Sequence, residues 1–206
     1  MFTGIVQGLG TIRRISKQPG LSTFEVELPA TRAAGIDRGA SISLSGVCLT
    51  VTTFEGQLVT FDLMHETLAL TNLGERAAGD RVNIERSAPA HGEVGGHILS
   101  GHVDTTATIV AIDRPANNCV MTFKLDPRWA RFVFSKGFIA LDGCSLTVVN
   151  ADRTAGTFQV WFIPETLEVT TFGARKVGDR INVEIERSTQ VIVETVERVM
   201  AERFAS

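Results

Sequence analysis

Two octapeptides place reactive side chains at matching positions: LSGVCLTV at Leu44–Val51 and LDGCSLTV at Leu141–Val148. Where the first has the thiol of Cys48 the second has the hydroxyl of Ser145, and Ser45 gives way to Asp142. The same spacing of 97 residues sets Ile5 opposite His102 and Ser41 opposite Phe138; a spacing of 99 sets His65 opposite Pro164. A thiol whose pKa is lowered can add to an electrophilic carbon or relay a proton. An imidazole titrates near neutral pH and can serve as base or proton shuttle. Each has a plainer use as well, Cys48 as a small buried hydrophobe and His102 as a hydrogen-bonded strand histidine between glycine and valine. Yet reactive types concentrate where the copies otherwise agree. Two related pockets that bind similar ligands in unlike roles, one polarising and one accepting, would carry this pattern.

The elements that position these residues come from a duplication. The octapeptides agree at five of eight positions, ETLALTNLG (Glu66–Gly74) and ETLEVTTFG (Glu165–Gly173) at five of nine, and GDRVNIE (Gly79–Glu85) and GDRINVE (Gly178–Glu184) at five of seven. Chance would give roughly 6% per position. TGIV at Thr3–Val6 faces SGHV at Ser100–Val103 in the same order. The predicted units are residues 1–97, 98–187 and a tail, 188–206.

Within a copy, Phe24, Val26 and Leu28 alternate with polar residues, as do Val59, Phe61 and Leu63, then Val82 and Ile84. Period two over short runs punctuated by Gly and Asp predicts half-buried antiparallel strands. The expected fold is mainly β: two tandem homologous small antiparallel Greek-key-like barrels, with a sandwich as the alternative. HGEVGGHILSGH (His91–His102) reads as the linker. From Ser188 the spacing of Ile192, Val196, Val199, Met200 and Phe204 predicts a C-terminal α-helix capped by Ser188 or Thr189. Its apolar stripe would meet either another subunit or one of the barrels.

Composition narrows the classes. The 206 residues are 44% hydrophobic and 21% charged with net charge −3, and no run of like charge exceeds two residues, so nothing points to nucleic acid or an anionic membrane. The start, MFTGIVQGLG, lacks a basic region before an apolar stretch, and the reading is cytoplasmic. Three cysteines, Cys48, Cys119 and Cys144, without CxxC spacing argue for thiols rather than disulfides or a zinc knuckle.

The motifs MFTGIV, GVCLTV, FDLMHETL, GGHILSGHVD, KGFIALDGCSLTV, IPETLEVTTFG and INVEIERST, in this order over nearly the whole chain, resemble the alpha-type riboflavin synthases. These enzymes carry two lumazine-binding domains. The resemblance implies a transferase of the last step of riboflavin biosynthesis. Two molecules of 6,7-dimethyl-8-ribityllumazine dismutate, a four-carbon unit passing from one to the other, to give riboflavin and 5-amino-6-(ribitylamino)pyrimidinedione without metal or redox cofactor. One lumazine loses a proton from its acidic C7 methyl, and the resulting anion attacks the other after a nucleophile adds at C7 of that second molecule. The implied base is His102, and the nucleophile is Cys48, Ser41 or a bound water; Ser41 on its residues alone is a turn-to-strand serine.

The resemblance also implies pockets read largely by backbone. In the first copy these are Gly4, Ile5 and Val6; Cys48, Leu49 and Thr50; and Asp62, Leu63, Met64, His65, Glu66 and Thr67. In the second they are Gly101, His102 and Val103; Ser145, Leu146 and Thr147; and Trp161, Phe162, Ile163, Pro164, Glu165 and Thr166. Phe2 and Thr3 would close the first pocket, while Lys136, Asp142 and Ser145 would orient the second ring or its ribityl chain. The implied partners are a homotrimer through the C-terminal helices, with the active site between the first barrel of one subunit and the second of its neighbour, and lumazine synthase.

Three rivals remain in view. A lumazine or flavin antenna protein would keep the barrels and lose reactive residues. A flavin reductase would need an Arg-x-Tyr-Ser/Thr signature, and this chain has no Tyr. A metal site on His91, His97 and His102 has no standard ligand spacing.

Overall fold

Period-two alternation becomes strand in both copies. The computed structural model describes residues 1–89 and 91–204; Ala205 and Ser206 of the predicted tail helix lie outside the described residues. The first copy forms β1 (Leu9–Gln18), β2 (Leu21–Glu27), β3 (Ser41–Leu44), β4 (Val47–Glu55), β5 (Leu58–Met64) and β6 (Arg81–Arg86). The second repeats them as β7 (Thr105–Asp113), β8 (Cys119–Lys124), β9 (Phe138–Leu141), β10 (Cys144–Asp152), β11 (Thr157–Phe162) and β12 (Arg180–Ile185). Both close into barrels, in the orders β1-β2-β5-β4-β3-β6 and β7-β8-β11-β10-β9-β12, and neither is a sandwich. Register breaks at Ile12/Arg14 and Val51/Thr53 recur at Ile109/Ala111 and Val148/Asn150. One extra residue at each bends the strand, which a small closed barrel needs.

The alternating residues fill the interiors: Phe24, Val26, Leu28, Val59, Phe61, Leu63, Val82 and Ile84 are all buried. Short helices α1 (Ala30–Ala33), α2 (His65–Leu70), α3 (Pro127–Ala130) and α4 (Pro164–Val169) lie between strands, and α5 (Arg187–Phe204) ends the chain. Thr71 fixes the end of α2: its hydroxyl donates to Thr67 O at 2.7 Å and accepts from Leu73 N at 3.3 Å. Thr170 does the same after α4, with Thr166 O and Phe172 N.

The repeated octapeptide is where the barrels meet. Ser45-Gly46 and Asp142-Gly143 have φ of 45° and 85°, and 45° and 78°, the left-handed pair of a tight β-hairpin turn. A Cβ on Gly46 would fall 2.7 Å from Gly143 N, and one on Gly143 2.7 Å from Gly46 N, so the turns pack backbone to backbone. Around them Asn83 Nδ2 donates to Asp142 O and Asn182 Nδ2 to Ser45 O, while the Oδ1 atoms of Asn182 and Asn83 accept from Asn72 N and Thr171 N. Apolar contact alone would leave these buried backbone groups unpaired, at a cost of a few kcal/mol each.

Helix α5 begins one residue before the predicted start, and its cap is Glu186 rather than Ser188 or Thr189. The Glu186 carboxylate accepts from Ser188 N at 3.0 Å, Thr189 N at 2.7 Å and Thr189 Oγ1 at 2.6 Å. Burial works to raise this carboxyl, but the Thr189 and Ser188 donors overcome it and hold the pKa down to about 2 from 4.5. A carboxylate depressed in the folded state stabilises above its unfolded pKa. That contribution should therefore fade as pH falls from 4.5 toward 2, and Glu186→Gln should flatten this stretch of a Tm-against-pH profile. An unchanged acid limb would contradict the assignment. One flank of α5 rests on the second barrel, through Val193 on its core and Arg131 on Glu197 at 2.7 Å. Val191, Ile192, Val196, Val199, Met200 and Phe204 remain exposed.

Candidate active site

Antiparallel pairing sets Ser41 opposite Thr50 and Ser43 opposite Cys48, so strand alternation puts these four side chains on one face of the β3–β4 hairpin. The matching face of β9–β10 carries Phe138 opposite Thr147 and Ala140 opposite Ser145. Both faces point away from the barrel cores, toward two chain segments that run outside the strands.

Those segments are exchanged between the barrels. Residues 1–6, at the start of the first copy, reach the second barrel: Gly4 O accepts from Ser145 N at 2.8 Å, and Val6 packs on the second core. Residues 99–103 reach the first: Gly101 O accepts from Cys48 N at 2.8 Å, and Val103 packs on the first core. The two strips cross where Phe2 and Leu99 exchange backbone hydrogen bonds at 2.9 Å. Each is anchored by the carboxylate ending its own GDRxNxE motif. Glu85 accepts from Thr3 N, Thr3 Oγ1 and Gly4 N at 2.6, 2.9 and 3.0 Å, and Glu184 from Ser100 N, Ser100 Oγ and Gly101 N at 2.8, 2.7 and 3.0 Å. Burial pushes the Glu85 carboxyl up, against the pull of these donors. The approach demands glycine: a Cβ on Gly101, at φ +77°, would lie 2.6 Å from Cys48 Cβ.

The grouping of the strips therefore differs from the copy-by-copy expectation. Gly101, His102 and Val103 join Cys48, Met64, Glu66 and Thr67 around a cavity of about 270 Å³ on the first barrel. An adjoining cavity of about 550 Å³ shares Cys48 and His102 and adds Met1, Ser100, Glu186 and Arg187. Arg187 donates to His102 O at 3.1 Å and to Asp104 Oδ1 at 2.8 Å, which ties the His102 backbone to the first turn of α5. The His102 ring is exposed and has no hydrogen-bond partner among the described residues. Phe2 is buried behind Cys48 with Leu99 and Ala140. Cys144, by contrast, is buried and pushed up to about 12, by desolvation first and by Glu85 and Asp142 next; burial also raises Cys119. Of the three thiols only Cys48 borders a site.

Gly4, Ile5 and Val6 instead belong with Ser145 and Thr147. Here lies His97, which sequence reasoning weighed only as a metal ligand; its Nδ1 lies 2.6 Å from Ser145 Oγ and its ring stacks on Phe138 with centroids 5.2 Å apart. Burial lowers its pKa and favours the neutral ring, and its Nε2 is buried without a partner among the described residues. Trp161, Ile163, Pro164 and Glu165 are exposed at the end of β11 and start of α4, and Thr166 is half-buried there. Lys136, at φ +68°, is exposed on a groove of about 360 Å³ between Phe138 and α5.

Other predicted residues sit elsewhere. Leu49, Leu63 and Phe162 are buried in the barrel cores, and Leu146 packs partly against the second, so a ligand would meet their backbone. Asp62 accepts from Thr23 Oγ1 at 2.7 Å on the barrel exterior. Ser41 lies two residues along the hairpin from Ser43, the partner of Cys48, and borders neither cavity. His65 lines a different cavity across α2. Asp142 is fully buried between the barrels, its oxygens taken by Asn72 and Asn182 at 2.8 Å each and by Arg175 at 2.7 Å. It borders none of these cavities, because the turn that carries it is the one packed against Ser45-Gly46.

A model of the lumazine binding domain matches residues 3–87 and again 100–186. The chain is 48% identical over 204 residues to riboflavin synthase of Escherichia coli (strain K12), covering 98% of this chain and 95% of that one. Riboflavin synthase of Bacillus subtilis (strain 168) is 36% identical over 186 residues, covering 90% and 85%. Among solved structures, LumP complexed with riboflavin superposes with a TM-score of 0.82 at 26% identity over 90% of this chain and 100% of that one. LumP complexed with 6,7-dimethyl-8-(1'-D-ribityl) lumazine gives 0.81 at 24% identity over 90% and 99%. Matched twice by one domain and related end to end to enzymes of one name, the chain belongs to the riboflavin synthase family.

Proposed function

We propose that this chain makes riboflavin by dismutation of two molecules of 6,7-dimethyl-8-ribityllumazine. One observation carries the reading: two sites on the same scaffold, each completed by a strip from the other copy, differ in reactive groups. One has Cys48 and a free His102; the other has Ser145 held by His97. Identical substrates in unlike roles need such a pair. In the first site the unpartnered His102 ring takes a proton from the acidic C7 methyl, and the resulting anion is delocalised over the lumazine ring. Cys48 or a water adds at C7 of the acceptor, and the donor anion then attacks the neighbouring C6, the electron pair of its C=N bond passing to N5. Backbone groups of Cys48–Thr50 and Gly101–Val103 in one site, and of Gly4–Val6 and Ser145–Thr147 in the other, hold the pyrimidinedione edges.

Incubating the purified protein with 6,7-dimethyl-8-ribityllumazine alone tests this. Repeated turnover to one riboflavin per two substrates is expected; tight binding without turnover would make the chain a non-catalytic binding protein.

The reading extends to a homotrimer held by α5, to the cytoplasm and to association with lumazine synthase. All three rest on the resemblance; the first also has the exposed stripe of α5 to support it. Deleting residues 188–206 should abolish turnover and leave a monomer that still binds riboflavin, read by sedimentation and fluorescence quenching. A truncated protein that stays trimeric and active would refute it.

A further inference from the structure

The two cavities that meet at Cys48 and His102 differ in character. The smaller, of about 270 Å³, exposes Met64 and Leu70 and part of Val103. The larger, of about 550 Å³, exposes Arg187, Ser188 and Ile98 and is also lined by the half-buried Glu186. Apolar walls suit a flat heteroaromatic ring. A carboxylate, a guanidinium and a hydroxyl side by side suit a chain of hydroxyl groups.

Covalent connectivity says how one ligand would span both. In 6,7-dimethyl-8-ribityllumazine the ribityl chain is carried on N8, the ring atom bonded to C7. His102, which takes the proton of the C7 methyl, lines both cavities, and so does Cys48. With the C7–N8 edge at that junction and the ring in the smaller cavity, the chain enters the larger one.

The duplication supplies a control. Glu186 and Arg187 correspond to Ser87 and Ala88, so the charged wall stands only beside the strip that carries His102. Its charges are not balanced. The Arg187 guanidinium is bound to Asp104 at 2.8 Å and to Gln190 Oε1 at 2.7 Å. Glu186 forms no ion pair among the described residues; its oxygens accept from Ser188 N, Thr189 N and Thr189 Oγ1. The N–H groups of the first turn of α5 are thereby taken and are not offered to a phosphate.

We propose that the larger cavity is the subsite for the ribityl chain, in which Glu186 accepts hydroxyl groups and bars a terminal phosphate. The identity of the chain rests on the synthase reading. Each carboxylate oxygen can take a hydroxyl beyond the donors it already has. A ligand without the chain forgoes these charge-assisted bonds. A phosphate ester, at about −1.5 to −2 charge near neutral pH, meets a carboxylate with no cation to offset it.

Protection of Cys48 from iodoacetamide, followed by mass spectrometry on the full chain, reports occupancy of this site, because Cys119 and Cys144 are buried. Riboflavin should protect wild type at about tenfold lower concentration, or better, than either of two analogues. Lumiflavin carries methyl in place of ribityl, and riboflavin 5'-phosphate carries the extra charge. Glu186→Gln should weaken riboflavin by about fivefold and bring the phosphate ester to within about threefold of it. The amide keeps an oxygen for the N–H groups of α5; should the helix loosen all the same, the wild-type series decides by itself. Equal protection of wild type by riboflavin and either analogue, or an unchanged ranking in Glu186→Gln, would overturn the subsite. No protection by riboflavin would remove the Cys48 site and the proposal with it. Protection in the expected order without turnover would uphold the subsite while the synthase reading fell.

Discussion

Substituting His102 with Gln should lower kcat for riboflavin formation by about 10²–10⁴-fold, the ordinary contribution of a positioned general base. Riboflavin affinity should change much less, because the amide keeps a polar side chain of similar reach and the Gly101–Val103 backbone stays anchored by Glu184, Cys48 and Arg187. A loss confined to kcat marks an interaction made in the transition state rather than in ground-state binding. A variant within about threefold of wild-type kcat would remove His102 from the chemistry and leave it as a wall of the cavity.

The second large effect concerns Glu184, which touches no ligand in this account. Its carboxylate holds Ser100 N, Ser100 Oγ and Gly101 N, and Glu184→Ala leaves two backbone donors without acceptors in a closely packed strip. At about 1–3 kcal/mol for each orphaned donor, the loss is roughly 3 kcal/mol, or a fall in Tm of about 6–12 °C for a chain of this size. Because the strip carries His102 onto Cys48, turnover should drop by at least about tenfold even well below the new Tm. Glu184→Gln, which retains an acceptor oxygen, should recover most of the stability. Glu85→Ala should act likewise on the Ser145 site, through Thr3 and Gly4. Equal activity of Glu184→Ala and wild type would show that the strip is held by its other contacts.

Much of the fold was legible because alternation and duplication are local or self-comparing signals. Val82 and Ile84, or Phe24, Val26 and Leu28, mark inward faces regardless of what lies opposite. The exchange of strips was not legible. Aligning copies assigns Gly4–Val6 to the first barrel, while the bond from Ser145 N to Gly4 O spans 141 residues and no spacing rule predicts it. The octapeptides are read for chemistry at two of their three differing positions. Cys48 borders two cavities and Ser145 bonds His97; Ser45 and Asp142 lie in an inter-barrel turn in which the aspartate answers Arg175. Asn83, Asn182, Glu85 and Glu184 were visible only as identities in GDRxNxE. A polar residue recurring inside an otherwise apolar strand was the signal that could have singled them out. His97 has no counterpart, since the alignment begins after it, so comparing copies gives it no weight.

The central claim is that two unequal pockets work as a pair, one from each of two chains. It is tested most directly by mixing two variants, each inactive alone: His102→Gln, which disables the first-barrel site, and Thr147→Arg, which places a charged chain over the exposed face of the second. After denaturation and refolding as an equimolar mixture, about a quarter of wild-type turnover should return, because one in four random neighbour pairs holds both intact pockets across the interface. Failure of the mixture to exceed its separate components, with mixed oligomers demonstrated, would mean that each chain pairs its own pockets and would contradict the account.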